Sequence, residues 1–505
     1  MPVSKALGEK PYVPSLPPPQ NLKQTVSTTS SSSSVDGGDT PALLHRSLVT
    51  RPHLVDRANG SYLYLADGRS ILDACGGAAV AAIGHGNTEV IAATIAQMQR
   101  TSYIHTGAYT TTAAEDLAKL ILECGTSVDD GKDNCFAHGL TRVFLVGSGS
   151  EANESAMKIA RQYFVERGEF QRQYYVSRRQ AYHGNTFGSM SISSVLGRRA
   201  PYEDVLLPNA SFVNPAFEYH YRYKNETEKE YAERLIQELE AHFLKIGPEK
   251  IISFIAEPVV GATSGCVTAP KGYFSGVRSL CDKYGILLHF DEVMCGMGRT
   301  GSYFAFEQED GGVLPDIVTI GKGLGGGYVP LAAMLVNDRI VNTLRQGSSV
   351  FNHGHTFQAH PTACSAALAV QKIIRREGLV SRCADLGAKL GQRLRTEFGC
   401  RKYVGDVRGR GLFWALEFVK DKTTRTPFEA SVGFGAQIHQ MAFDLGVAVY
   451  PCVGTVDGVV GDHILLAPPF NISDNELDII ISTLRRAYHE VELHYDSVTK
   501  RKGTA

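Results

Sequence analysis

Two neighbouring stretches decide how this chain folds: Ile286-Leu-Leu-His-Phe-Asp291-Glu-Val-Met-Cys-Gly296-Met-Gly-Arg299-Thr-Gly301 and Pro315-Asp-Ile-Val-Thr-Ile-Gly321-Lys322-Gly-Leu-Gly-Gly-Gly327. Each contains a short apolar run, Ile286 to Phe290 and Ile317 to Ile320, bounded by turn residues, which reads as a buried strand. Each run ends in an ionisable residue beside glycine-rich backbone, Asp291 in the first and Lys322 in the second. In a parallel sheet, such strand ends are where ligands sit.

An acid at one strand end and a lysine at the next suit pyridoxal phosphate chemistry. The lysine amine can form an imine with the cofactor aldehyde, and the aspartate can hold the pyridine nitrogen protonated so that the ring withdraws electrons. A nucleotide P-loop is excluded. It requires a glycine five residues before the glycine of its Gly-Lys pair and Ser or Thr after the lysine. Here those positions hold Asp316 and Gly323.

Working outward, strand-like runs at Thr141 to Val146, Gln173 to Val176 and Ile251 to Ala256 join the two above, separated by helical stretches. This alternation predicts an α/β fold, a mostly parallel sheet with helices on both faces. Ser61 to Gly68 reads as a hairpin turning at Asp67-Gly68. Asn87 to Arg100 has helical apolar spacing, with Asn87 or Thr88 as cap. Beyond Pro361 a long helix leads to strands at Leu412 to Phe418, Val447 to Tyr450 and His463 to Leu466. A last helix over Ser473 to Leu493 opens on the capping box Ser473–Glu476.

Val143-Phe-Leu-Val146 runs into Gly147-Ser-Gly149-Ser150-Glu151-Ala152, a strand, glycine turn and helix start that can hold a phosphate on free amide groups. The same residues satisfy Gly-x-Gly-x-x-Ala, the dinucleotide fingerprint. The next strand ends in Ser177-Arg178-Arg179, which suits only a phosphorylated dinucleotide. The motif by itself leaves both cofactors open, and Asp291 with Lys322 decides for pyridoxal phosphate. Tyr182, in Tyr182-His183-Gly184, is either a core aromatic or a ring that stacks on the cofactor. Glu257, in Glu257-Pro258, is either a turn residue or a carboxylate that touches substrate.

The chain has 505 residues, 43% hydrophobic and 20% charged, with a formal net charge of -1. These values suit a soluble enzyme and give no reason to expect nucleic acid or a membrane surface as partner. No apolar run approaches the roughly 20 residues of a membrane helix. The ten cysteines are scattered without a Cys-x-x-Cys pair, which argues for reduced thiols and against structural zinc. Residues 1–42, proline-rich and then serine-rich, are expected to be a disordered tail. A mitochondrial transit peptide is disfavoured: the stretch has no arginine before Arg46 and contains Glu9. The expected compartment is therefore cytoplasmic.

Taken together, these residues resemble the class III pyridoxal-phosphate aminotransferases of fold type I. The resemblance covers roughly Leu43 to Leu493 and rests on the series Asp-Glu-Val…Gly-x-Gly-Arg-x-Gly…Pro-Asp…Gly-Lys-Gly. It implies that Lys322 carries the cofactor and later shuttles the proton, and that Asp291 pairs with the pyridine nitrogen. Gly149 and Ser150 match the phosphate-binding pair, Tyr182 the stacking aromatic, and Val293 the residue on the other ring face. His353-Gly-His355-Thr356-Phe-Gln-Ala-His360-Pro361 resembles the stretch whose threonine reaches the phosphate of a neighbouring subunit, so Thr356 implies a homodimer with shared sites. His353 and His355 lack a third partner for a metal, and with His183 they are read as packing or supporting polar groups. Glu257 and Tyr450 are candidate substrate contacts.

The resemblance also implies a smaller α+β domain built from both ends of the chain. The expected boundaries are 43–90 for its N-terminal part, 91–360 for the large cofactor-binding domain and 361–505 for its C-terminal part. The implied reaction moves an amino group from an amine or amino acid to an oxo acid. Decarboxylation, racemisation or aminomutase chemistry on the same scaffold remains open, as does, less strongly, a dinucleotide-dependent oxidoreductase.

Two departures bear on the substrate. Many relatives have Gln after Asp-Glu-Val, where this chain has Met294. Many also carry a C-terminal arginine for a substrate carboxylate, yet Val447 to Cys452 and His463 to Pro469 contain none. Arg408 and Arg410 look structural. The expectation is that the donor is not simply a 4-aminobutyrate-like acid, or that another cation binds its acid group.

Overall fold

The central sheet has seven strands: β1 (Leu140–Val146), β2 (Tyr174–Arg178), β3 (Ala210–Val213), β4 (Ile251–Ala256), β5 (Leu287–Asp291), β6 (Ile317–Ile320) and β7 (Ala332–Asn337). Their order across the sheet is β1-β7-β6-β5-β4-β2-β3. Pairing is parallel from β6 through to β3, whereas β7 runs antiparallel to both β6 and β1. Six strands therefore point one way, and their carboxyl ends share one edge. The structure is a computed structural model that describes residues 42–125 and 138–502. The expected tail lies, except for its last residue, outside the described residues. From Thr50 onward the chain holds together as one unit.

Both faces of the sheet are covered, and the strands show it residue by residue. Leu287, Ile317 and Met334 pack with Ala156, Ile159 and Phe164 of α1 (Gly149–Glu166) on one side. Their chain neighbours Leu288, Val318 and Leu335 pack on the other side with Leu235 and Leu239 of α2 (Glu228–Ile246) and with Val277 and Leu280 of α3 (Tyr273–Tyr284). Alternation with period two, apolar on both faces, is the pattern of a fully buried parallel strand. Each such aliphatic side chain contributes about 1.5–3 kcal/mol relative to exposure.

A second sheet joins the two ends of the chain. Val55–Asn59, Tyr62–Leu65 and Ser70–Asp73 form an antiparallel meander, and Val447–Ala448 pairs in parallel with the last of them. Gly68 closes the expected hairpin with a φ of 90°. A third sheet, Val404–Arg410, Phe413–Phe418, Asp462–Leu466 and Tyr450–Val453, is antiparallel throughout. The expected strand Val447 to Tyr450 is thus two strands in two sheets, broken at Val449. Asn87 caps the helix Thr88–Arg100 by accepting from the amides of Glu89 and Val90. The capping box is present as expected: Glu476 accepts from the Ser473 amide and Ser473 from the Glu476 amide. The final helix it starts, Asp474–Lys502, runs nine residues beyond the expected end.

Candidate active site

Five residues singled out in the sequence stand at the carboxyl ends of five parallel strands. Gly149 opens α1 after β1, Tyr182 follows β2, Glu257 follows β4, Asp291 ends β5 and Lys322 follows β6. Neighbouring β5 and β6 are in register with Asp291 opposite Thr319, three residues before Lys322. Lys322 has a φ of 42°, a left-handed backbone that a non-glycine residue adopts at a cost of about 1–3 kcal/mol. Gly321 before it approaches Val293 so closely that a Cβ there would lie 3.3 Å from Val293 Cγ1.

Asp291 is buried, and each of its oxygens accepts at least one hydrogen bond. His183 Nδ1 lies 2.8 Å from Oδ2, Asn153 Nδ2 donates to Oδ2 at 2.9 Å, and the Val293 amide donates to Oδ1 at 3.1 Å. The Asp291 contact requires the proton on Nδ1 of His183. Asn153 is itself held by Thr319, whose hydroxyl donates to Asn153 Oδ1 at 3.0 Å. Burial pushes the Asp291 pKa up, but the His183 hydrogen bond and the charges of His183 and His289 pull it down further, leaving it below the ordinary aspartate value. Glu257, also buried, goes the other way. Burial and the charge of Asp291 raise its pKa above the usual range, despite donation from the amides of Tyr182 and Gly261. Two carboxylates pushed in opposite directions mark a site where one stays ionised more readily than the other. Desolvation lowers the Lys322 pKa below the ordinary lysine value, against the opposing pull of Asp291, Glu257 and Cys295.

At the start of α1 the backbone leaves room for an anion. Ser148 caps the helix by accepting from the Glu151 amide, so the amides of Gly149 and Ser150 stay free of helical bonds. A Cβ on Gly149 would lie 2.7 Å from Val293 Cγ1, and one on Gly184 2.6 Å from Ser150 Oγ. Val293 therefore sits between Gly149 and Gly321. Ser150 Oγ accepts from the Asn185 amide at 3.1 Å, tying the helix start to the Tyr182 loop. These features fit a phosphate, a flat ring above Val293 and a cationic ring nitrogen at Asp291.

Two expected site residues have other neighbours. Thr356 is exposed on the turn before Pro361, beside the exposed Phe357. Tyr450, like Met294, packs against the apolar cluster that holds Val259 and Cys295. Met294 fills the space over Gly261 next to Glu257. His353 bonds Ser155 and Lys158, and the described residues hold no cluster of three His, Cys, Asp or Glu side chains able to bind a metal.

The signature of the aminotransferase class-III family matches residues 45–488. The chain belongs to the class-III aminotransferases. An aminotransferase of Schizosaccharomyces pombe is 45% identical over 92% of this chain and 98% of its own length. Gamma aminobutyrate transaminase 2 of Solanum lycopersicum is 33% identical over 89% of this chain and 94% of its own. Among solved structures, an amine transaminase from an uncultivated Pseudomonas species, in its PLP-bound form, superposes with a TM-score of 0.82 at 32% identity, covering 90% and 100% of the two chains. This class-III aminotransferase therefore has the fold type I α/β architecture and uses pyridoxal 5'-phosphate to move an amino group between a donor and an oxo acid acceptor.

Some site features escaped the sequence reading. Asn153 falls four residues after Gly149, one helical turn along the same face, yet an asparagine within a helix gives no sign of its partner. In the sequence Arg178 reads only as a dinucleotide discriminator. It is fully buried, donates to the Glu257 carbonyl and packs 5.5 Å from the Phe274 ring. Other motif residues turn out to be scaffolding. Glu292 accepts from the amides of Ala305 and Phe306, Arg299 donates to the carbonyls of Leu412 and Pro468, and Asp316 binds Arg278 and Arg339.

Proposed function

We propose that Lys322 is the cofactor-bearing and proton-transferring residue of this aminotransferase and that Asp291 is the counter-charge to the pyridine ring. The observation that carries this reading is their placement at the ends of adjacent parallel strands, with the Asp291 carboxylate held ionised by His183 and Asn153. Bound pyridoxal phosphate supplies a carbonyl that accepts the amino group and a ring that takes up electron density. Gly149 and Ser150 hold the phosphate on free amides at the start of α1. Val293 and Tyr182 enclose the ring from its two faces and exclude water from it. Once released from the cofactor, the Lys322 amine takes the proton from the donor carbon. Its lowered pKa favours the neutral form that this task requires.

Glu257, beside Met294, and Tyr450 face the substrate side in this reading. An ω-amine is the first donor to test, since a relative is a gamma aminobutyrate transaminase. A homodimer completes the site through the partner's copy of the Thr356 loop. In support, that loop exposes Val350 and Phe357, and Phe357 meets the exposed Tyr103 edge-on at 6.1 Å between ring centres. A reducing, cytoplasmic setting suits the nine cysteines of the described residues, all free; imaging of the tagged full chain tests it.

The decisive experiment reduces the cofactor-loaded protein with borohydride and maps the label. Modification at Lys322, together with an acceptor-dependent keto product in a donor screen, supports the assignment. Label on a different lysine overturns it.

A further inference from the structure

An oxo acid brings a carboxylate into the site, and the C-terminal segments Val447 to Cys452 and His463 to Pro469 contain no arginine. Nearby cations are mostly committed to the protein itself. Arg408 binds Asp406, Glu417 and the carbonyls of Ser264 and Gly265. Arg410 pairs with Glu309 at 2.8 Å. Arg199 donates to three main-chain carbonyls and to Glu203. A guanidinium so occupied has few donors left for a ligand.

Arg198 differs. It is exposed, and no acceptor among the described residues is hydrogen-bonded to its guanidinium. Its guanidinium carbon stands 5.0 Å from the centre of the Tyr182 ring, the ring assigned above to the cofactor face. The short helix that carries it, Leu196–Arg199, packs on the C-terminal part of the chain: a Cβ on Gly458 would lie 3.5 Å from Leu196 Cγ. The Arg198 charge also reaches Cys452, where it draws the thiol pKa down against the upward push of burial. Arg198 thus lies beside the Tyr182 ring and within electrostatic reach of Cys452 in the strand Tyr450–Val453. An unpaired guanidinium over an aromatic ring keeps its planar fork free to grip a carboxylate by two parallel bonds.

We propose that Arg198 is the carboxylate-binding residue of this active site, taking the acid group of the oxo acid acceptor and of the amino acid formed from it. The proposal rests on the site assignment above and deepens it. It locates the missing cation on the large-sheet side of the site rather than in the C-terminal segment. Donors without an acid group do not need it.

The test compares wild type, Arg198→Gln and Arg198→Lys as cofactor-loaded full chains. Calorimetric titration with glutarate and with acetate, two unreactive carboxylates, gives equilibrium binding. Half-reactions followed by the cofactor's absorbance use 2-oxoglutarate and pyruvate as acceptors and 1-phenylethylamine as an uncharged donor. Arg198→Gln is expected to weaken carboxylate binding and raise the acceptor KM by about 10- to 100-fold. The rate with 1-phenylethylamine should stay within about twofold, and Arg198→Lys should fall between the two. Unchanged carboxylate binding in Arg198→Gln, equal losses with acceptor and uncharged amine, or a wild type that binds neither carboxylate would each overturn the proposal. A wild type that binds carboxylates through Arg198 yet converts no donor would instead sink the Lys322 assignment, so the two failures are distinguishable.

Discussion

Residues in one motif divide sharply by what they touch. Asp291 and Lys322 stand at the carboxyl ends of their strands, whereas Glu292 and Asp316 hold loops and strand ends together. Lys322→Ala is expected to abolish borohydride labelling and to lower turnover on the order of 10³-fold while leaving the fold intact. A lowered lysine pKa also shifts reactivity: cofactor capture by the stripped protein should rise with pH along a curve centred below the ordinary lysine value of 10.5. Rapid-mixing absorbance against pH checks this, and a midpoint at or above that value refutes it. For Asp291 the sign runs oppositely. Its folded pKa lies below the usual 3.8, so its contribution to stability is present above that value and is lost as pH falls through the depressed one. Asp291→Asn should therefore flatten the acid limb of a stability–pH profile. His183→Leu removes a charge-assisted hydrogen bond to Asp291 and should lower kcat by about 10- to 100-fold; loss of folding without a kinetic change in the surviving protein would contradict that role.

Between elements, the closest approaches are backbone to backbone. In the helix Leu379–Phe398, a Cβ on Gly387 would overlap the main chain of Gly411, in the turn between Val404–Arg410 and Phe413–Phe418. Neither side can yield as a flexible side chain would. Gly387→Ala should cost about 3 kcal/mol, measured by denaturant unfolding. A cost under about 1 kcal/mol would show that the helix can shift. Sequence legibility differs element by element for similar reasons. Strands β4, β5 and β6 are apolar runs interrupted before their ends only by Ser253, His289 and Thr319, and their pattern is legible directly. β3 is a short, half-buried edge strand, and β7 opens with two alanines, a residue depleted in strands; neither was anticipated. Val447 to Tyr450 read as one strand because nothing local shows that Val447–Ala448 pairs with Ser70–Asp73, far away in the chain.

Across the whole molecule, the exposed Thr356 loop is the feature a lone chain leaves without a use. Sedimentation of the cofactor-loaded protein is expected to show a species of twice the chain mass. Thr356→Val should weaken cofactor binding by about tenfold without dissociating that species. A monomer that binds cofactor at full affinity would refute the shared site. The third sheet and the helices around it gather the C-terminal part behind Arg299, whose guanidinium reaches carbonyls of both Leu412 and Pro468. Arg299→Met leaves two buried carbonyls without a donor, so it should cost about 2–4 kcal/mol in thermal or denaturant unfolding.

The parallel sheet, the two strand ends bearing Asp291 and Lys322, the glycine turn at Gly149 and Ser150, and the caps at Asn87 and Ser473 are all legible in the amino-acid order alone. Each is written in a run of adjacent residues, through apolar periodicity or through a side chain bonding its own backbone. The folded arrangement alone shows that His183 and Asn153 bond Asp291, that Arg178 bonds the Glu257 carbonyl, and that Arg198 stands over Tyr182. Those relations join residues up to 138 positions apart. Which donor meets which acceptor is fixed by the packing of helices and strands onto one another, and no local pattern encodes it.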